Sequence, residues 1–154
     1  MRLSLRYSVC ALLLWLAPCC MAQTLTIRII SAHKADPLPK QRIMVTLLYE
    51  KGEKQPPNYD ATLTLETDSN GNTQFNLPEP APAHLAAKVP IDWGHWNCAG
   101  DCGVLAVTQD VIQRGMVESA APSFPAAEPT PGEILFVVRP LSLWERIWYP
   151  LLKG

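Results

Sequence analysis

Short runs in which apolar and polar residues alternate recur along the chain from residue 24 onward. Residues 24–30 (TLTIRII) and 61–66 (ATLTLE) show the pattern most clearly, with leucine or isoleucine at every second position. A period of two is typical of β-strands that bury one face. The pattern predicts seven short strands, at residues 24–30, 42–49, 61–66, 73–77, 85–89, 104–107 and 133–139. The last of these is apolar on both faces, which predicts a central position in a sheet.

The segments between these strands carry turn signals. Residues 67–72 (TDSNGN) predict a hairpin, in which Asp68 accepts backbone hydrogen bonds and Gly71 takes a positive φ. Residues 36–39 (DPLP) predict a turn or an extended connector, and residues 108–115 predict a helical turn. Residues 120–131 contain four prolines and predict an extended loop. Such a series predicts an all-β fold of the β-sandwich type, with a partly open barrel as the alternative.

The first 22 residues have the layout of a secretory signal peptide. Two arginines precede an apolar run at residues 9–17, Pro18 follows, and Ala22 provides a small residue for cleavage. The apolar run is shorter than the roughly 20 residues that span a bilayer, which disfavours a membrane anchor. A lipoprotein signal ending at Cys19 is a less favoured alternative, because Pro18 stands where a small flexible residue is expected. The sequence therefore predicts export to the periplasm or the medium.

Removal of residues 1–22 leaves 132 residues, enough for one domain with a modest core. We expect that domain to span residues 23–140, followed by a short tail at 141–154. The mature chain has eleven lysines and arginines against fourteen aspartates and glutamates, a formal net charge of −3. No basic stripe is visible, which argues against nucleic-acid binding.

Two stretches resemble a known family. They are DPLPKQRIMVTL (residues 36–47) and TDSNGNTQF (residues 67–75), and they resemble carboxypeptidase regulatory-like domains and related transthyretin-like, immunoglobulin-type modules of exported bacterial proteins. The resemblance covers about residues 24–90, and Asp36 and Lys40 stand where glycines are often found. It implies a seven-stranded immunoglobulin-like sandwich in an accessory, adhesive or carbohydrate-associated domain. It transfers no functional residue, because these motifs report turn geometry.

Residues 91–102 (IDWGHWNCAGDC) contain the densest chemistry in the chain. In an exported protein Cys98 and Cys102 are the two remaining cysteines, and Gly100 and Asp101 allow the tight reversal that a disulfide between them needs. A metal site formed by His95, Cys98 and Cys102 is the sharper alternative, for zinc or copper. A redox role is weaker, because the spacing differs from Cys-x-x-Cys.

Trp93 and Trp96 flank His95 in the same segment. One interpretation is that both rings pack over the edge of the sandwich. The other is an exposed aromatic platform for a sugar ring or a peptide. Packing is favoured, because the pair lacks other anchoring polar groups.

The C-terminal tail predicts a short amphipathic helix within residues 141–154. Ser142 and Glu145 form a capping box, and Pro150 limits the helix to about two turns. Trp144, Ile147, Trp148 and Leu151 then share one face. This face either covers the sandwich or contacts a partner or a membrane surface, through residues 141–152.

No nucleophile elbow, phosphate loop or dinucleotide fingerprint is present, and we expect neither catalysis nor a cofactor. The sequence favours a non-catalytic binding module for an unknown envelope protein or glycan, with Trp93, His95, Trp96, Trp144 and Trp148 as candidate binding residues. The alternatives are a small metal-handling protein and a peripheral envelope component held by its C-terminal helix.

Overall fold

The computed structural model describes residues 23–54, 62–90, 96–97, 102–119, 127–140, 142–144 and 147. For Trp96, Asn97 and Pro140 it describes the backbone alone. The signal segment 1–22, most of the 91–102 segment and part of the tail lie outside this range. The predicted domain boundaries therefore stay predictions.

The described residues form eight strands of four or more residues, one two-residue strand and one helix with described bounds, and three residues of the tail also have helical backbone. The strands are β1 (Thr24–Ser31), β2 (Arg42–Leu48), β3 (Thr62–Glu66), β4 (Asn72–Asn76), β5 (His84–Lys88), β6 (Trp96–Asn97), β7 (Gly103–Val107), β8 (Met116–Ser119) and β9 (Glu133–Pro140). The helix α1 spans Thr108–Arg114 between β7 and β8. All seven predicted strands and the predicted helical turn are present. β6 and β8 were not predicted, so the count of seven was too low.

The strands form two sheets. The first, which we call sheet A, has the order β4-β1-β9-β6, and β8 also pairs with β9. The second, sheet B, has the order β3-β2-β5-β7, and all of its pairs are antiparallel. In sheet A, β9 runs parallel to both β1 and β8. The all-β prediction is confirmed, and the two sheets are consistent with a β-sandwich.

Alternation along the strands builds the core between the sheets. The inward positions are fully buried or nearly so in both sheets: Leu25, Ile27, Ile29, Ile134, Phe136 and Val138 from sheet A, and Ile43, Val45, Leu47, Leu85, Ala87, Val104 and Ala106 from sheet B. β9 is also buried on its other face, where Leu135 and Val137 contact Ile30 and Ala32. The central position that was predicted for this strand is therefore confirmed.

The hairpin predicted between β3 and β4 is wrong. β3 pairs with β2 in sheet B, whereas β4 pairs with β1 in sheet A, so the turn at 67–71 crosses from one sheet to the other. The local chemistry is as expected: Asp68 Oδ1 accepts from the amides of Asn70 and Asn72, at 2.8 and 2.9 Å, and Gly71 has φ +71°. The same turn residues serve either connection, and contacts elsewhere decide between them.

Thr67 and Gly71 attach this crossing turn to both sheets. The Thr67 hydroxyl donates to the Leu38 carbonyl at 2.8 Å and accepts from the Gln41 amide at 2.9 Å. At the other end of the turn, the Gly71 carbonyl accepts from the Ile29 amide of β1 at 2.9 Å. The connector at 36–39 also contacts this part of β1, because the Leu38 amide donates to the Ile29 carbonyl at 3.0 Å.

We expect Thr67→Val to lower the free energy of unfolding by about 1–3 kcal/mol, because the change removes a buried hydroxyl that bonds two backbone groups. Chemical denaturation measures the loss. The matched control is Thr64→Val, at an exposed position of β3, which should stay within about 0.5 kcal/mol of wild type. An equal effect of the two substitutions would remove the crossing-turn explanation.

Candidate binding surface at the end of strand β9

The 91–102 segment connects neighbouring strands of sheet B but also reaches sheet A. β5 ends at Lys88 and β7 begins at Gly103, and these two residues are paired in register. Between them, β6 leaves sheet B and pairs antiparallel with the end of β9, with Asn97 opposite Arg139 and Trp96 opposite Pro140. Residues 96–97 therefore lie in sheet A, whereas the strands on either side of them in the chain, β5 and β7, lie in sheet B.

The C-terminal tail begins at the same place. β9 ends at Pro140, opposite Trp96, and Ser142, Leu143 and Trp144 follow within four residues. The two surfaces that the sequence singled out separately are therefore brought together by the β6–β9 pairing. We call this end of the molecule, with residues 96–97, 142–144 and 147, the C-terminal surface.

Apolar side chains of the tail are exposed on the C-terminal surface. Leu143 is 72% exposed, Trp144 is 69% exposed and Ile147 is 50% exposed. All three lie in helical backbone, although the bounds of the helix lie outside the described residues, as do Trp148 and Leu151. Trp144 and Ile147 belong to the face that was predicted to be shared, and their exposure argues against close packing on the sandwich.

Cys102 lies at the base of the 91–102 segment. It is 3% exposed, and its carbonyl accepts from the Val89 amide at 2.8 Å. Every other cysteine lies outside the described residues, so the pairing with Cys98 stays a prediction. His95, Cys98 and Trp93 also lie outside the described residues.

Exposed charges of both signs lie at this end of the sandwich. The turn at 32–35 adjoins the end of β9, since the Ala32 amide donates to the Val138 carbonyl at 2.6 Å. The start of β2 is paired with the end of β3, with Arg42 opposite Glu66. The exposed ionisable residues of these segments include Lys34, Lys40 and Arg42 and also Asp36, Glu66 and Asp68. The surroundings of the C-terminal surface are therefore mixed in charge.

A cavity of about 560 Å³ lies at the opposite end of the sandwich. Its lining includes Glu50, Pro82, His84, Thr108 and Ile112. The Thr108 hydroxyl is buried and has no hydrogen-bond partner within the described part of the chain. No sequence motif marks this cavity, because its lining comes from separate segments of the chain.

Tyr49 lies at this same end of the sandwich. Its hydroxyl donates to the Pro80 carbonyl at 3.3 Å. Burial, and to a smaller degree the charge of Glu53, raises the pKa of Tyr49 above its ordinary value. The phenol therefore remains a hydrogen-bond donor at neutral pH.

These features define a two-sheet β protein whose tail exposes Leu143, Trp144 and Ile147 beyond the end of β9. No family model matches this chain, and no curated protein matches it either. A fold alone does not define a function, so the chemistry of the exposed surfaces carries the functional evidence.

Proposed function

We propose that the protein is an exported, non-catalytic binding module that holds a protein partner through the C-terminal surface. The observation that carries the proposal is the exposure of Leu143, Trp144 and Ile147 beside β6. Tryptophan is enriched among the residues that dominate binding energy at protein interfaces. A small apolar centre with polar and charged residues around it has the anatomy of such an interface.

The charges around this surface favour a protein over an anionic membrane. Asp36, Glu66 and Asp68 are exposed at the same end as Lys34, Lys40 and Arg42. An anionic lipid surface attracts clusters of lysine and arginine, and carboxylates among them offset that attraction. Mixed charges instead allow complementary pairing with one partner and exclude others.

The export part of the proposal rests on the signal-like sequence of residues 1–22. β1 starts at Thr24, and the Gln23 carbonyl accepts from the Leu77 amide at 2.8 Å. Cleavage after Ala22 would therefore remove no residue of the described sheets. The predicted disulfide between Cys98 and Cys102 would also fit an oxidising compartment. Within the described residues, no helix has the length and apolar character to cross a membrane.

The immunoglobulin-like, transthyretin-like form of the fold is part of the proposal. Its support is the connector at 36–39 and the Asp68–Gly71 turn, whose hydrogen bonds follow the motif that suggested the carboxypeptidase regulatory-like domains. Two features depart from a sandwich of purely antiparallel sheets, namely the parallel pairs β1–β9 and β8–β9.

We expect Trp144→Ser to weaken partner binding by about 30-fold, which corresponds to roughly 2 kcal/mol for an interface residue of this kind. The tagged mature protein is used to capture partners from the solubilised native envelope, and captured proteins are quantified by mass spectrometry. The matched control is Leu105→Ser, because Leu105 is 67% exposed on the outer face of sheet B. The proposal is supported if at least one protein is captured by the wild type and by Leu105→Ser but is not captured by Trp144→Ser.

Two results would contradict the proposal. One is equal capture by all three proteins. The other is sedimentation of the wild type, but not of Trp144→Ser, with protein-free vesicles of phosphatidylethanolamine and phosphatidylglycerol, which would replace the protein partner with a membrane surface. The intact mass of the native protein tests export independently, and retention of residues 1–22 would overturn that part.

A further inference from the structure

A polar pocket of about 260 Å³ lies on the outer face of sheet A, away from the C-terminal surface. The residues that line the pocket point away from the core, because side chains alternate along a strand. In β1, Thr26 and Arg28 face outward, whereas Leu25, Ile27 and Ile29 face the core. In register, Thr26 lies beside both Gln74 and Glu133, and Arg28 lies opposite Asn72. The lining is therefore polar and comes from three adjacent strands.

A buried carboxylate orients the arginine in this pocket. Glu133 is 5% exposed, and its Oε1 lies 2.7 Å from Arg28 Nε. Its Oε2 accepts from the Thr130 amide at 2.8 Å and from the Thr130 hydroxyl at 3.0 Å. Both carboxylate oxygens of Glu133 are thus engaged, and Arg28 is held by charge attraction at its Nε, which is buried and makes no hydrogen bond of its own among the described residues.

Several hydrogen-bonding groups at this pocket are left for a ligand. Among the described residues, the two Nη groups of Arg28 have no partner, and the Asn72 side-chain amide makes no hydrogen bond. Gln74 Nε2 donates to the Thr26 hydroxyl at 3.4 Å, so the Gln74 Oε1 is left as an acceptor. Within this ion pair the arginine is the more accessible group, since the side chain of Arg28 is 35% exposed and that of Glu133 is 7% exposed.

We propose that this pocket binds a small molecule through a carboxylate group that contacts the free guanidinium edge of Arg28. The planar guanidinium group matches the geometry of a carboxylate and bonds it through two parallel N–H groups. Asn72 and Gln74 bind neighbouring polar atoms of the ligand. The volume is below that of pockets for drug-sized ligands, so the ligand has the size of one sugar acid or one amino acid.

The test is an NMR titration of the folded mature protein, recorded on backbone amides. The probes are D-glucuronate, which represents a sugar acid, N-acetylalanine, which represents a peptide carboxylate, and D-glucose, which is neutral. We expect saturable shifts at the amides of residues 26–28, 72–74 and 130–133 with one or both carboxylate probes. D-glucose should produce no such shifts, and the comparison of the two acids identifies the source of the carboxylate.

Variants separate a ligand contact from a purely structural ion pair. Arg28→Lys keeps the positive charge beside Glu133 but loses the two parallel N–H groups of the guanidinium. We expect this variant to bind the carboxylate probe about tenfold more weakly, or weaker still. Asn72→Ala should weaken binding several-fold and provides a second test if Arg28→Lys fails to fold. The control is Arg114→Gln, at an exposed arginine that pairs with Asp110 on α1, which should bind as wild type does.

Three outcomes would overturn the proposal. They are the lack of saturable shifts with both carboxylate probes, equal binding of D-glucose and D-glucuronate, and undiminished binding by folded Arg28→Lys and Asn72→Ala. None of them bears on partner capture by the C-terminal surface, so the two proposals succeed or fail separately.

Discussion

Phe136→Ala is expected to lower the free energy of unfolding by about 3–5 kcal/mol, the usual cost of truncating a fully buried phenylalanine. Phe136 lies in the middle of β9, paired with Ile29 of β1 on one side and with Glu118 of β8 on the other. Its side chain is completely buried between the sheets. Truncation leaves a cavity at the strand that joins both halves of sheet A, where the surroundings can relax least.

Denaturation in urea measures this loss as a lower midpoint with an unchanged slope. The control is Phe136→Leu, which retains an apolar side chain at the same site and should cost clearly less than the alanine variant. A loss below about 1 kcal/mol for Phe136→Ala would mean that the described core does not depend on this side chain.

Gly115→Ala is expected to cost about 3 kcal/mol, through backbone strain and a collision together. Gly115 connects α1 to β8 with φ +72° and ψ 175°, a region that is essentially restricted to glycine. An added Cβ would collide with the Thr130 carbonyl oxygen and would lie 2.9 Å from Pro129 Cβ. Both neighbours belong to the chain just before β9, so relief of the collision must move that segment away from α1.

Gly52→Ala separates the cost of backbone strain from the cost of the collision. Gly52 also has a positive φ, at +102°, but an added Cβ there meets nothing within 4 Å. Strain alone should cost about 1–2 kcal/mol. Thermal or chemical denaturation of both variants gives the difference, and equal losses would show that contact with the 129–130 segment contributes nothing.

The strands could be predicted because each one carries its own evidence of burial. Alternation in 24–30 reports a strand with one buried face, and the unbroken apolar run at 134–138 reports burial on both faces. β8 was not predicted because its four residues are too few to show a clear alternation. Its parallel pairing with β9 is a contact between distant segments, which leaves no local pattern in the sequence. β6 has two residues and no periodicity to detect.

The candidate site was predictable in its residues but not in its arrangement. The unusual composition of 91–102 and of the tail marked both segments. Their meeting depends on the register of β6 against the end of β9, which joins residues 44 positions apart in sequence. The Arg28 pocket gave no signal, because its residues occupy ordinary outward positions of alternating strands.

By itself the sequence determined seven of the strands, the turn chemistry of Asp68 and Gly71, and the all-β class, because these follow from side-chain periodicity and local hydrogen bonding. Only the tertiary structure decided that the 67–71 turn crosses between sheets, that the tail adjoins β6, and that Arg28 is held by Glu133. Each of these depends on which strands become neighbours. Strands become neighbours in the arrangement that buries the apolar faces of the whole chain together. The sequence of one segment does not report how its apolar face packs against the others.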